Sequence, residues 1–359
     1  MIHLCEPKLS EADEKALLDC IKRSWVATRG PASSEFAEKI NAFSSHDFTN
    51  VCNSGTTALE LSLRALELEP GSYVAVPTST YIATVSAIIL AGYRPYFYTV
   101  DESLQPRISC LEKVFSDDSV KALVLVSLYG YPIDEEAICQ IARKNKLAVV
   151  FDTAEALGTK HQSRFLGSYA DFSCFSFNGN KIITSGAGGA INCSDKNLKM
   201  KVESLLDHGK DQSGEYSDYG GNFMMSDLQA SLGLSQIKRL ELNLLRKKEI
   251  FDRYRSELSN KDFDFIDVIC NGTCNFWLSA IKVLDADLKT LIEAELTKEN
   301  IKFGRFFSPI NKYSYYESFP ITDPQRNPLE DSLLLLPSSV GLSKEEQSKV
   351  IRIMQGVSS

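Results

Sequence analysis

The apolar positions of the chain follow two alternating patterns over its first half. Unbroken apolar runs are typical of strands that are buried on both faces of a sheet. Four such runs lie at residues 73–77, 95–100, 122–127 and 147–151. Between and around them, apolar residues recur every three or four positions, as in amphipathic helices. Those stretches are residues 58–68, 81–91, 109–115 and 134–146. Strands that alternate with such helices predict an α/β fold whose sheet is mostly parallel and sandwiched by helices.

The pattern changes in the last third of the chain. A long helical pattern starts at Ser226 and continues toward Tyr254. Shorter elements follow, with strands at residues 276–283, a helix at 286–299 and a closing helix at 343–354. We therefore predict a large domain over residues 1–245, whose N-terminal helix packs on a smaller α+β domain over residues 246–359.

Polar residues collect where the predicted parallel strands end, and ligands of open α/β sheets bind at that edge. Asp152 directly follows the run at residues 147–151. The turn Asn53–Thr57 opens a helix, and its free N–H groups and small hydroxyls suit an anion. Plain capping of that helix by a hydroxyl explains the turn equally well. The chain contains neither GxGxxG nor GxxxxGK[ST], which argues against a dinucleotide fingerprint and a P-loop.

A single lysine follows another strand-like run, at residues 172–177. The dipeptide Asn178-Gly179 predicts a turn, Lys181 lies in it, and a glycine-rich return leads to a further strand at residues 190–193. Taken alone, this is a β-hairpin whose turn lysine points into water. In a desolvated turn, however, the lysine would be a nucleophilic amine. An amine, a strand-end carboxylate and a phosphate cradle together are what pyridoxal phosphate (PLP) requires.

Composition narrows the class of protein. The net charge of −8 argues against nucleic acid or an anionic membrane as a partner. No apolar run approaches the ~20 residues that span a bilayer, and the N-terminus lacks the features of a signal peptide. The nine cysteines and four histidines show no zinc-site spacing, so we predict no metal site. Scattered cysteines favour a reducing, cytoplasmic location.

Five stretches occur in a characteristic order: residues 53–59, 77–84, 152–158 and 175–181, and Gly221-Asn222 leading into 225–230. Together they resemble the motifs of the DegT/DnrJ/EryC1/StrS family of sugar-nucleotide aminotransferases. The resemblance covers nearly the whole chain and implies a fold-type-I PLP enzyme. The local sequence around Lys181 is closest to that of 4-aminotransferases that act on UDP-linked 4-keto-6-deoxy N-acetyl sugars.

The resemblance also implies roles for individual residues. Lys181 is the Schiff-base lysine and the carrier of the proton, and Asp152 pairs with the pyridinium nitrogen of PLP. Tyr81 stacks on the cofactor ring. Glu155 lies near the phenolic oxygen of the cofactor, where many relatives have Gln or His, and Ala154 adjoins the cofactor in the same motif.

The phosphate is implied to bind to residues from two turns and from a second subunit. Gly55, Thr56, Thr57 and Ser176 hold it within one chain. Asn222 reaches it from the neighbouring subunit, so the resemblance implies a homodimer with shared active sites. Arg305 is a candidate for the carboxylate of the amino donor or the diphosphate of the sugar nucleotide, although a surface arginine fits the sequence equally well.

The implied activity moves an amino group from L-glutamate to a keto group, at C4, of a nucleotide-linked keto-deoxy sugar for surface glycan or glycoprotein synthesis. A C3-aminotransferase of the same family is an alternative. A PLP-dependent sugar dehydratase is a second alternative, but related dehydratases have histidine at the position of Lys181, so the lysine argues against it. A regulatory or binding protein on the same scaffold is a non-enzymatic alternative. The nucleotide and the sugar are left open.

Two departures from the family pattern are visible. Met224 stands where relatives usually carry an arginine, and residues 185–189 lack the carboxylate that many relatives have.

Overall fold

The computed structural model describes residues 1–358. The helices, in chain order, are α1 (Glu11–Lys22), α2 (Pro31–Asn41), α3 (Gly55–Ala65), α4 (Ile82–Leu90), α5 (Ile108–Ser116), α6 (Glu135–Lys144), α7 (Lys196–Leu206), α8 (Asp227–Ile237), α9 (Leu240–Leu258), α10 (Ala286–Lys298), α11 (Leu329–Ser332) and α12 (Lys344–Ser358). The strands are β1 (Phe48–Cys52), β2 (Tyr73–Pro77), β3 (Arg94–Tyr98), β4 (Val120–Val126), β5 (Ala148–Asp152), β6 (Lys160–His161), β7 (Arg164–Phe165), β8 (Phe172–Ser176), β9 (Gly189–Cys193), β10 (Phe263–Phe265), β11 (Gly272–Thr273), β12 (Ser279–Val283), β13 (Gly304–Arg305) and β14 (Leu333–Leu336).

A seven-stranded sheet forms the centre of the molecule, in the order β1-β9-β8-β5-β4-β2-β3. All neighbouring pairs from β8 to β3 are parallel, and β9 runs against both of its neighbours. The prediction of a mostly parallel α/β sheet is confirmed. The inner strands are buried along nearly their whole length because helices cover both faces, as their unbroken apolar runs require.

The sheet brings four chain segments to one edge. Strands β1, β2, β5 and β8 run in the same direction, so the segments that follow them emerge together. Asp152 pairs with Val126 on one side and with Cys174 on the other. This edge carries the polar turns singled out in the sequence.

The C-terminal part contains an antiparallel sheet of its own, in the order β10-β12-β14-β13. A second hydrophobic cluster lies on it and includes residues of α9, α10 and α12, such as Tyr254, Ile292 and Val350. The predicted domain boundary after residue 245 falls inside α9 and remains a prediction.

Three details differ from the sequence expectations. The long helical pattern after Ser226 is interrupted between α8 and α9, where the Arg239 N–H donates to the Gln236 carbonyl in a tighter turn. Helix α1 was expected to pack on the smaller C-terminal domain, but it packs chiefly on α8. The N-terminus contacts the C-terminal part through Ile2, which precedes α1 and forms a β-bridge with Ile301.

A small three-stranded sheet, β11-β6-β7, has no counterpart in the predictions. Each of its strands has two residues, which is too short for any periodic signal. Within residues 1–358, none of the helices combines the length and the apolar character that crossing a membrane would take.

Lys247 of α9 is buried, and no carboxylate among residues 1–358 pairs with it. Its ammonium group donates to the carbonyls of Trp277 (2.8 Å) and Ser338, and to the Cys5 thiol (3.3 Å). Burial lowers the pKa of Lys247. One side chain thus ties the N-terminal segment to two segments of the C-terminal part.

Replacing Lys247 by Met is therefore expected to lower the free energy of unfolding by about 2–4 kcal/mol, because two buried carbonyls lose their donor. The matched control is Lys248→Met, next along the helix, whose side chain is 59% exposed and pairs with Asp252. That change should stay within about 0.5 kcal/mol. Urea unfolding of both variants tests the difference, and equal stabilities would contradict the role given to Lys247.

Candidate active site

A cavity of about 480 Å³ opens at the sheet edge where the four segments meet. Nine of the sequence-predicted residues line it: Gly55, Thr56, Tyr81, Asp152, Ala154, Glu155, Ser176, Lys181 and Arg305. A larger cavity of about 610 Å³, bordered by Arg29, Asp207 and Met224, contains none of them. The candidate chemistry is therefore concentrated in the smaller cavity.

Lys181 points into this cavity and not into water. Its side chain is 14% exposed, and its Nζ lies 3.7 Å from Glu155 Oε1 and 4.1 Å from the ring centroid of Trp277. The turn that carries it is closed by backbone hydrogen bonds, from Phe177 to Gly188 and from Ser185 back to Phe177. The simple hairpin interpretation of a solvated lysine is thus wrong.

The glycine-rich return after Lys181 has a conformational reason. Gly186 and Gly188 have φ of 81° and 129°, a region that side chains rarely allow. Ala187 and Gly188 both line the cavity. The missing carboxylate at position 187 has no structural explanation.

Asp152 presents a buried carboxylate to the cavity. Its Oδ2 accepts a hydrogen bond from Thr84 Oγ1 (2.7 Å), and its Oδ1 accepts one from the Ala154 N–H (3.0 Å). Burial raises the pKa of Asp152, while these two hydrogen bonds and the charge of Lys181 act in the opposite direction. Thr84 lay within a quoted motif, but its contact with Asp152 depends on the fold and was missed.

The turn before α3 is the candidate anion cradle. Ser54 caps the helix by accepting the Thr57 N–H (3.1 Å), and Ser54, Gly55 and Thr56 line the cavity at the positive end of the helix. The Thr57 hydroxyl donates to Asn53 Oδ1 (2.7 Å), and Thr57 is not among the residues that line the cavity. The Thr57 hydroxyl thus stabilises the turn and does not face the cavity.

Gly189 fixes the position of this cradle. A Cβ at residue 189 would lie 2.5 Å from the Ser54 carbonyl oxygen and 2.9 Å from the Gly55 nitrogen. Because both are backbone atoms, the start of α3 would have to move. We expect Gly189→Ala to lower the free energy of unfolding by about 1–3 kcal/mol.

Gly179 provides the matched control for this prediction. It lies in the lysine turn, and a Cβ there would meet nothing within 4 Å. Gly179→Ala should therefore leave the free energy of unfolding within about 0.5 kcal/mol of the original value. If urea unfolding showed the two alanine variants to be equally stable, the close contact at Gly189 would have no energetic weight.

Glu155 lines the cavity next to the lysine. Its side chain is 8% exposed, and its Oε2 accepts the Tyr129 N–H at 2.7 Å. Tyr129 has φ of 55°, which is unusual for a bulky residue and aims its N–H at this carboxylate. Burial raises the pKa of Glu155 to about 7, although Lys181 and the Tyr129 N–H lower it.

Aromatic rings lie in the cavity and directly behind its lining. Phe307 stacks on Tyr129 at 5.3 Å and lies 6.4 Å from Tyr81. Its N–H donates to the Tyr129 hydroxyl (3.0 Å), which ties the loop after β13 to the turn that follows β4. Phe307 and Trp277 were missed, since both come from the C-terminal part and carry no local motif.

Two of the predicted residues, Arg305 and Asn222, lie at the margin of the cavity or outside it. Arg305 borders the cavity, and it forms a two-point ion pair with Glu293, at 3.0 Å and 2.5 Å. Asn222 is exposed, forms a backbone bridge with Asp207, and does not line the cavity of its own chain. Met224 borders the larger cavity instead.

The fold and this site define a class of protein: an α/β enzyme with a lysine, a buried aspartate and an anion cradle around one cavity. The model of the DegT/DnrJ/EryC1/StrS aminotransferase family matches residues 7–355. The chain belongs to this family, whose members are PLP-dependent sugar aminotransferases.

Individual proteins agree with this assignment. The GDP-perosamine synthase of Vibrio cholerae is 31% identical over 364 residues, with 98% of this chain and 97% of that protein covered. A UDP-N-acetyl-3-dehydro-alpha-D-glucosamine 3-aminotransferase of Acidithiobacillus ferrooxidans is 37% identical over 180 residues, 50% of this chain and 49% of that protein.

A solved structure extends the similarity to the fold. The PLP form of Spr1654 from Streptococcus pneumoniae has a TM-score of 0.89 and 28% identity, and the match covers 99% of this chain and 97% of that one. The predicted fold class is therefore confirmed over nearly the whole chain.

Proposed function

We propose that this aminotransferase moves an amino group from L-glutamate to the keto group, at C4, of a nucleotide-linked keto-deoxy sugar. One observation carries the proposal: the Lys181 amine lies inside a cavity that also presents the Asp152 carboxylate and the anion cradle of α3. The product would be an amino sugar for surface glycan or glycoprotein synthesis, and the reaction would take place in the cytoplasm.

The residues of the cavity fit PLP by their chemistry. The N-terminus of α3 and Ser176 would hold the phosphate, Asp152 would face the ring nitrogen, and Lys181 would be the point of attachment. A buried carboxylate that already accepts two hydrogen bonds suits a cationic N–H partner. When bound, PLP supplies an electron sink that makes a proton on the amino-bearing carbon easy to remove.

The chain itself would position groups and move one proton. The Nζ of Lys181 would take the proton from the amino donor and deliver it to the other side of the transfer, as a general base and then a general acid. Thr84 and the Ala154 N–H would keep Asp152 oriented. Phe307 and Tyr129 would keep water from the reacting atoms.

A homodimer would complete the site. Tyr81 is 61% exposed in the single chain although it lines the cavity. Asn222, also exposed, is proposed to reach the phosphate of the neighbouring subunit. The Arg305–Glu293 pair would have to open before Arg305 could bind a substrate anion.

Amination at C3 is the second candidate. It is favoured by the relative from Acidithiobacillus ferrooxidans, which is named as a 3-aminotransferase and is 37% identical over half of this chain. Amination at C4 is the first candidate because the local sequence around Lys181 resembles that of 4-aminotransferases.

The two candidates are separated by a substrate panel. Holoenzyme is first treated with L-glutamate, the excess is removed, and sugar nucleotides with a keto group at C3 or C4 are added one at a time. The proposal expects the violet absorbance of Lys181-bound PLP to return with a 4-keto sugar nucleotide. Return with 3-keto compounds alone would move the reaction to C3, and no return with any member would contradict the proposed acceptor class.

A further inference from the structure

The surroundings of Lys181 contain a feature that the proposed function does not use. The carboxylate of Glu155 and the ring of Trp277 flank the same ammonium group, at 3.7 Å and 4.1 Å. Both features favour a positive charge, since a carboxylate attracts it and an aromatic face stabilises it by a cation–π contact. Trp277 is also buried, so water screens this contact weakly.

One side chain bonds to the backbones of both flanking residues. Asn275, itself buried, donates through Nδ2 to the Glu155 carbonyl (2.8 Å) and accepts the Trp277 N–H through Oδ1 (2.9 Å). The indole N–H of Trp277 donates to the carbonyl of Asn180, the residue before Lys181 (2.7 Å). Hydrogen bonds therefore link the backbone of Glu155, both N–H groups of Trp277 and the backbone next to Lys181.

The orientation of Glu155 is fixed as well. Its Oε2 is occupied by the Tyr129 N–H, and within residues 1–358 the partner of its Oε1 is Lys181. The groups that face this carboxylate are Lys181, the Tyr129 N–H and the nearby charge of Asp152. Such an arrangement leaves Oε1 free for a cation at Lys181.

We propose that Glu155, Trp277 and Asn275 form a seat that holds detached Lys181 as an ammonium ion. The proposal rests on the function proposed above, in which Lys181 is free during part of each cycle. No covalent bond changes in the seat, which stores on Nζ the proton that the lysine later delivers. Glu155 is thus a positioning residue that also makes the free amine less nucleophilic until its proton leaves.

The proposal predicts how fast apoprotein captures PLP at different pH values. Capture requires a neutral amine, so a seat that favours the ammonium form moves the half-maximal rate to higher pH. Replacing Glu155 by Gln keeps the size of the side chain and removes the charge. We expect the midpoint of the pH–rate profile to fall by about one unit. Between about pH 7, above which the original Glu155 is mostly charged, and the midpoint, this corresponds to roughly tenfold faster capture.

Several variants make the test specific. Trp277→Leu should shift the midpoint in the same direction by a smaller amount, and Glu155→Asp, which keeps the charge, should lie between Glu155→Gln and the original protein. Glu135→Gln is the matched control: Glu135 is another buried carboxyl whose pKa burial raises, to about 8, but it accepts the Gly167 N–H, outside the cavity. Its midpoint should not move.

The outcome separates this inference from the proposed function. A midpoint that stays unchanged in both Glu155→Gln and Trp277→Leu would overturn the seat. If Lys181→Ala gave the same absorbance of captured PLP as the original protein, the role of Lys181 itself would fail. The measurement follows capture by stopped-flow absorbance and does not depend on turnover.

Discussion

Lys181→Ala is expected to lower the rate of amino transfer by at least ~10³-fold, since it removes both the attachment point and the proton carrier. The lysine lies within the cavity, 3.7 Å from Glu155, and no other lysine is among the residues that line this cavity in the described part of the chain. The rate is measured as conversion of the PLP absorbance by L-glutamate in a single turnover.

The control for this variant is Lys298→Ala, at the exposed end of α10, where the side chain is 69% exposed. That protein should react at the original rate. A Lys181→Ala protein that still converted L-glutamate at a comparable rate would show that another group carries the proton.

Asp152→Asn is expected to lower the same rate by about 10²- to 10³-fold, the usual cost of losing one preorganised electrostatic group. The amide can still accept from Thr84 or the Ala154 N–H, but it carries no negative charge to face a cationic ring nitrogen. Retention of PLP on a desalting column should weaken in parallel.

Asp171→Asn is the matched control for this change. Its carboxylate accepts the Val149 N–H (2.7 Å) near the start of β5, at the opposite edge of the sheet from Asp152. It should leave the rate of the glutamate reaction unchanged. An Asp152→Asn enzyme that was as fast as Asp171→Asn would remove the aspartate from the chemistry.

Much of the large sheet was predictable because its signal is local. Buried parallel strands must be apolar throughout, and the runs around Val124 and Val150 carry that pattern without interruption. Asp152 and the turn before α3 were predictable for the same reason, since each directly follows a strand whose carboxyl end lies at the ligand edge.

The remaining parts of the site depend on contacts between distant residues. Trp277 follows Lys181 by almost a hundred positions, and no periodic pattern connects it to the cavity. The hydrogen bond from Thr84 to Asp152 joins α4 to β5 and depends on how the helix packs. The ion pair of Arg305 with Glu293 could not be predicted from the sequence either, and it occupies the guanidinium group that would otherwise bind a substrate anion.

The orientation of Glu155 depends on a contact that the motif does not contain. The motif placed it near the cofactor, but the sequence does not show that its second oxygen is bound by the strained backbone of Tyr129. The orientation toward Lys181 follows from that constraint. Thr57 is the converse case, because its hydroxyl supports Asn53 although its neighbours face the cavity.

The transfer of nitrogen itself tests the central claim most directly. Holoenzyme is incubated with ¹⁵N-labelled L-glutamate and a 4-keto-6-deoxy sugar nucleotide, and the sugar product is analysed by mass spectrometry, with the Lys181→Ala protein alongside. We predict that the sugar gains one ¹⁵N atom with the original protein and none with the variant. Absence of label from the sugar with the original protein, or equal labelling by the Lys181→Ala protein, would contradict the account.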